Sequence, residues 1–344
     1  MLASPETFFE DKAILITGGT GSFGRVFAKR LLQIGSCRKV IIFSRDEWKQ
    51  WEMQQSDPLF RHSKIRYFLG DVRDIDRLKR AFKEVDIVVH AAALKQVPAA
   101  EYNPTEFIKT NVQGAMNVID AAIDCEVNHV IALSTDKAVN PVNLYGATKL
   151  CSDKLFIAGN AYVGAKGFPS LSVVRYGNVS NSRGSVLPYW KGLIATGAKE
   201  IPITDENMSR FWITLEDSVQ FVIDCLIRSQ GGEIFVPKIP SFKIVELAKA
   251  LAPDLPLNRI GIRPGEKIAE LLISKEESRH TLDCPTYFSI IQEEIFQDKQ
   301  RLQKFIRMQT NPSQTPLPLG FEYSSDKNPQ WLNRDDLKQL IKEV

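Results

Sequence analysis

Two neighbouring stretches carry side chains whose types and spacing suit acid–base chemistry: Thr135-Asp136-Lys137, and Tyr145-Gly-Ala-Thr-Lys149 shortly after it. Tyr145 and Lys149 stand four apart, so on a helix they share one face. A cation beside a phenol favours phenolate and lowers the tyrosine pKa, which makes Tyr145 a candidate base. Asp136 and Lys137 would place a second acid and a second base next to it. A Tyr-x-x-x-Lys pair also occurs on ordinary amphipathic helices, so its meaning depends on what surrounds it. The preceding run, Asn128-His-Val-Ile-Ala-Leu-Ser134, is short, apolar and β-branched, which reads as a buried parallel strand. A strand that ends in Ser-Thr-Asp-Lys delivers polar groups to the carboxyl edge of a sheet, where open α/β folds bind their ligands.

The upstream elements supply that surrounding. Lys12-Ala-Ile-Leu-Ile-Thr17 reads as a strand that runs straight into Gly18-Gly-Thr20-Gly21-Ser22-Phe23-Gly24 and then an apolar-faced helix. Strand, glycine turn and helix together hold a dinucleotide pyrophosphate at the helix N-terminus. A second strand, Lys39–Phe43, ends in Ser44-Arg45-Asp46-Glu47, with Lys49 following. An acidic residue at this tip would accept from a ribose hydroxyl; Ser44 and Arg45 come first here, which favours a 2′-phosphate and so NADP. The alternative is NAD with Arg45 exposed in a loop. A third strand, Ile65–Leu69, leads to Asp71 and Val72 at the adenine. A fourth, Val85–Ala91, leads to Ala91, Ala92 and Ala93, small enough for backbone to pass under a cofactor, and to Lys95. A helix over about 104–125 carries Asn111, expected to face the fifth strand. A sixth strand, Pro169–Arg175, ends near Tyr176, Asn178 and Val179.

Six strands alternating with helices predict an α/β fold, a Rossmann-type doubly wound parallel sheet. Residues 1–180, with 212–237 returning to them, form the expected dinucleotide-binding domain. Residues 181–211 and 238–344, where the rhythm breaks, form a smaller, irregular α/β substrate-binding region. A net charge of +3 gives no footprint for nucleic acid or a membrane surface, and no apolar run is long enough to span a bilayer. Five scattered cysteines without a Cys-x-x-Cys pair point to reduced thiols in the cytoplasm. Four dispersed histidines offer no metal site.

The glycine turn, the Tyr-x-x-x-Lys pair and the strand order resemble the extended short-chain dehydrogenases/reductases. Within them, Ser44-Arg-Asp-Glu47, Ala91-Ala-Ala-Leu-Lys95, Thr135-Asp-Lys137, Phe211-Trp-Ile-Thr214 and Gly261-Ile-Arg-Pro-Gly-Glu-Lys267 resemble the inverting UDP-N-acetylglucosamine 4,6-dehydratases of bacterial surface-glycan synthesis, including that of pseudaminic acid. Gln96 and Ala269 stand where that family commonly has histidine. The resemblance implies NADP as cofactor and UDP-N-acetylglucosamine as substrate. It implies Tyr145 and Thr135 at the 4-hydroxyl, Lys149 at the cofactor ribose, Lys137 as the base at C5 and Asp136 as the acid at C6. For these last two roles, burial would have to lower the Lys137 pKa and raise that of Asp136. It also implies a sugar-nucleotide pocket of Lys95, Thr110, Asn111, Asn178, Ser185, Thr204, Arg263 and Glu266, and a homo-oligomer, hexamer or dimer. The rival readings are a UDP-hexose 4-epimerase, which needs neither the C5 base nor the C6 acid, and a non-catalytic nucleotide-sugar-binding protein on the same fold.

Overall fold

In a computed structural model the chain is described over residues 3–164, 167–180, 184–308 and 314–343. Residues 181–183, the start of the expected substrate loop, lie outside the described residues. Six apolar segments form the strands β1 (Ala13–Thr17), β2 (Lys39–Ser44), β3 (Ile65–Leu69), β4 (Ile87–His90), β5 (His129–Thr135) and β6 (Ser170–Tyr176). They lie parallel in the order β3-β2-β1-β4-β5-β6, and a seventh parallel strand, Ile234–Pro237, pairs beyond β6. The strand order reverses between β1 and β4, which opens a crevice at their carboxyl ends. The expected doubly wound sheet is therefore present.

Continuous apolar runs suit strands covered on both faces. Phe82, Val118, Phe156 and Leu171 pack on one side of the sheet, and Phe27, Leu31, Val222 and Phe235 on the other. A third core, with Trp190, Ile203, Trp212, Phe242, Leu247 and Leu337, stands apart and belongs to the substrate region. The expected division between the two regions needs one adjustment. Thr281–Asp283, Tyr287–Ile290 and Thr315–Pro316, all from beyond residue 237, add antiparallel strands to the main sheet. They give the Ile234–Pro237 strand a partner on its outer side.

The helix expected over 104–125 is not one regular helix. Pro104–Phe107 and Gly114–Asp124 are α-helical, and Ile108–Gln113 between them is a π-turn. π-turns inside helices often mark functional positions. This one turns Asn111 inward, where Oδ1 accepts from the Leu94 N–H at 2.8 Å and Nδ2 donates to the Leu94 carbonyl at 2.9 Å and to Thr148 Oγ1 at 3.0 Å.

Candidate active site

Two cavities of about 540 and 490 Å³ open onto each other along Lys137, Asn178, Val179, Gly184 and Ser185. The first runs over the carboxyl edge of the sheet. Gly18 to Gly24 form its floor, with Thr20, Gly21, Ser22 and Phe23 on the wall. Gly18 has φ +65°, and a Cβ there would stand 2.9 Å from the Ala92 backbone; the lack of side chains brings the β1 and β4 loops together. Gly21, with no side chain to cap it, precedes the helix Ser22–Ile34, so that helix keeps its N-terminal N–H groups for an anion.

Further out the wall is charged. Ser44 Oγ and Thr20 Oγ1 are 2.9 Å apart, and Arg45, Asp46 and Lys49 stand beside them. Asp46 caps the helix Glu47–Ser56 through the Lys49 N–H and pairs with Lys49 Nζ at 2.8 Å. Asp71 and Val72 line the adenine end as expected, but both Asp71 oxygens already accept from Arg73, at 3.0 and 2.7 Å. Ala91, Ala92, Ala93, Lys95, Thr110, Tyr176 and Val179 complete the wall. An elongated, glycine-floored cleft that ends in an open helix N-terminus, with a basic pair outside it, fits a dinucleotide.

Three expected site residues stand elsewhere. Glu47 is exposed on the first turn of its helix and off the cavity wall. Asn111 has its whole amide committed to the Leu94 loop and to Thr148, so it fastens the loop that carries Lys95 instead of facing a ligand. Lys149 is buried behind the wall, where burial pulls its pKa down and Asp153 acts the other way.

At the junction of the cavities the acid–base residues converge. Asp136 is fully buried; Thr135 Oγ1 donates to its Oδ1 at 2.8 Å, and Lys137 Nζ does so at 3.0 Å. Lys137 Nζ also lies 3.2 Å from Glu270 Oε1, which is 3.6 Å from Arg210 Nε. Burial raises the Asp136 pKa, as the acid role requires, and nearby Glu270 adds to this against the pull of Lys137. Lys137 departs from expectation. Burial does act downwards, but the Asp136 and Glu270 carboxylates outweigh it and hold the ammonium above its ordinary range. Tyr145 also departs. Burial pushes its phenol up to about 12, and the cation that opposes this is Lys137 and not Lys149, together with a hydrogen bond with Thr135.

The second cavity is walled by Trp190, Met208, Trp212 and Phe242, with Thr204, Arg263 and Glu266 at its polar side. Around the junction Thr110 Oγ1, Asp136 Oδ2, Asn178 Oδ1, Ser185 Oγ, Trp212 Nε1 and Glu270 Oε2 are buried without a hydrogen-bond partner among the described residues. Buried polar atoms are costly to leave unpaired, so this ring marks where ligand atoms belong. Arg210, Trp212 and Glu270 were not foreseen. The available signal for Glu270 was a lone carboxylate set directly before the apolar run Leu271-Leu272-Ile273.

The family model for polysaccharide biosynthesis proteins matches residues 14–292. The chain belongs to this family. A UDP-N-acetylglucosamine 4,6-dehydratase (inverting) from Campylobacter jejuni is 54% identical over 97% of this chain and 98% of that protein. The resemblance read from the motifs is thereby borne out. A UDP-glucose 4-epimerase from Rickettsia typhi is 45% identical over 82% of this chain and 83% of its own length. The X-ray structure of Pen from Bacillus thuringiensis matches with a TM-score of 0.86 and 34% identity over 98% of both chains. Among the described residues no helix is long and apolar enough to cross a membrane, and no group of side chains could hold a metal ion.

Proposed function

We propose that this family member is an NADP-dependent UDP-N-acetylglucosamine 4,6-dehydratase that inverts C5, acting in the cytoplasm as a homo-oligomer. The observation that carries the reading is the buried Asp136–Lys137 pair, held at 3.0 Å at the mouth shared by the two cavities. NADP, when bound, would accept hydride from C4 and return it to C6. Gly18 to Gly24 would hold its pyrophosphate, and Arg45 and Lys49 the 2′-phosphate. The second cavity would take the uridine diphosphate, with Arg263 and Thr204 among its polar groups.

Tyr145 is placed to take the 4-hydroxyl proton, with Thr135 sharing the same oxygen. Once C4 is a ketone the C5 proton is acidic, and its removal needs an amine, not an ammonium. Loss of the C6 hydroxyl as water needs a carboxylic acid, not a carboxylate. A single proton shift from Lys137 Nζ to Asp136 Oδ1 makes both at once. The raised Asp136 pKa favours that shift and the raised Lys137 pKa opposes it. Lys137 then takes the C5 proton and Asp136 gives its own to the hydroxyl, which leaves as water, so the pair is an ion pair again. Once C6 has been reduced, the enolate takes a solvent-exchanged proton at C5 on the opposite face, which inverts that carbon.

The Rickettsia typhi relative supports a second reading, 4-epimerisation, in which the buried acid and base have no task. Incubation with UDP-N-acetylglucosamine in heavy water separates the two. A 4-keto-6-deoxy product that has lost water and carries deuterium at C5 is expected. A product of unchanged mass, epimerised at C4, would replace the dehydratase reading with the epimerase one.

A further inference from the structure

Glu270 has no part in the reaction as described, yet it is buried and its Oε1 lies 3.2 Å from the same Lys137 Nζ that Asp136 Oδ1 meets at 3.0 Å. We propose that Glu270 is a positioning residue, which gives the Lys137 amine a second carboxylate contact and strengthens the hold of the Lys137–Asp136 pair on its proton. The inference rests on the reading of Lys137 as the C5 base.

A lysine amine ends a flexible four-carbon stem. One contact at 3.0 Å would leave Nζ free to swing about Asp136; the second, at 3.2 Å from Glu270 Oε1, limits that swing. The two carboxylates come from different parts of the chain. Asp136 follows directly on β5. Glu270 belongs to the substrate region, where its N–H donates to Ser325 Oγ at 2.9 Å and its carbonyl accepts from the Ser325 N–H at 2.9 Å. Ser325 Oγ in turn meets Ser209 Oγ at 2.8 Å, on the strand that carries Arg210. The base is therefore assembled only where the two regions meet.

The charges around Lys137 Nζ decide its protonation. Asp136 and Glu270 favour the ammonium, Arg210 and Lys267 oppose it, and Tyr145 faces it as a neutral phenol. Lys267 is tied to the Val139 carbonyl at 2.6 Å, so it cannot take Lys137's place. Neutralising Glu270 leaves two cations against one buried carboxylate, and Lys137 and Asp136 together hold their protons less tightly.

The test is the Glu270→Gln variant, assayed with UDP-N-acetylglucosamine and NADP across pH for water loss and, in heavy water, for deuterium at C5. The acidic limb of kcat, where the base must be unprotonated, is expected to move to lower pH by about one unit or more. The plateau kcat falls, because Lys137 Nζ has lost its second contact. A limb that stays in place, whatever kcat does, makes Glu270 a structural carboxylate and overturns the inference. If Glu270→Gln does not fold, Glu270→Asp substitutes: it keeps the charge but withdraws the oxygen by one methylene, so kcat should fall with the limb in place, and an unaltered kcat overturns the inference equally. A wild-type protein that neither dehydrates its substrate nor takes up deuterium defeats the dehydratase reading itself, independently of either variant.

Discussion

At the dinucleotide end of the cleft, contacts are left to backbone and to exposed charge. Gly18 and Gly21 contribute no side chains, Arg45 is half exposed, and Lys49 is held only by a surface pair with Asp46. At the sugar end the charged groups around Asp136 are buried or largely so. Asp136, Lys137, Glu270 and Arg210 form one chain of alternating charge, and Asp153, Arg175 and Glu277 form a second one behind it. Exposed pairs contribute little and tolerate change, whereas removing one member of a buried network leaves an uncompensated charge. Cofactor preference should therefore be adjustable at low cost, and the acid–base chemistry should not.

The largest effect tests the buried end. Lys137→Ala should lower turnover on the order of 10³-fold, within the usual span for a general base, and should abolish deuterium uptake at C5. Retention of full turnover would remove Lys137 as the base. Asp136→Asn should cost about 10²-fold in water loss and, because it removes the acceptor of the Lys137 proton, should slow deuterium exchange at C5 as well. If exchange continues at the wild-type rate while water loss stops, Asp136 does not take the Lys137 proton and the shared-proton step fails.

The exposed end should respond less and more selectively. Arg45→Ala combined with Lys49→Ala should weaken NADP binding about 10- to 100-fold, as expected for losing hydrogen bonds to a charged group. NAD binding should hardly change, as titration calorimetry with the two dinucleotides would show. Equal weakening of both would place the pair at the pyrophosphate and withdraw the argument for NADP.

The same contrast explains what could be read from the sequence. β1 to β6 were legible because buried parallel strands are unbroken apolar runs, and Thr135, Asp136 and Lys137 were legible because they end one. The π-turn at Ile108–Gln113 was not. One extra residue per turn shifts the phase of a helix without altering its composition, so the sequence gives no sign that the Asn111 amide meets the Leu94 backbone and Thr148. For Lys137 the sequence suggests burial and hence a lowered pKa; Asp136 beside it and Glu270, 133 positions further along the sequence, together outweigh burial and raise it. Arg175 shows the same limit: at the end of β6 it is fully buried, and only coordinates reveal its partners Asp153 and Glu277.

The smallest expected effect lies where backbone packing, the currency of the open end, reaches into the buried one. Gly146 follows Tyr145, and a Cβ there would stand 2.1 Å from the Lys137 carbonyl oxygen and 3.1 Å from Pro141. Its helix begins at Leu144, capped by Asn143, whose Oδ1 accepts from the Gly146 N–H at 2.8 Å. The helix that carries Tyr145 is thus pressed directly against the turn that carries Lys137. The neighbour in the way is backbone and not a movable side chain, so Gly146→Ala must shift one element or the other. A loss of about 1–3 kcal/mol is expected from such overpacking, measured by denaturant unfolding. The shift should lower kcat and spare NADP affinity, because Gly18 to Gly24 and Arg45 lie on other elements. A variant with reduced NADP affinity and unchanged kcat would mean that the two ends of the cleft are not mechanically separate.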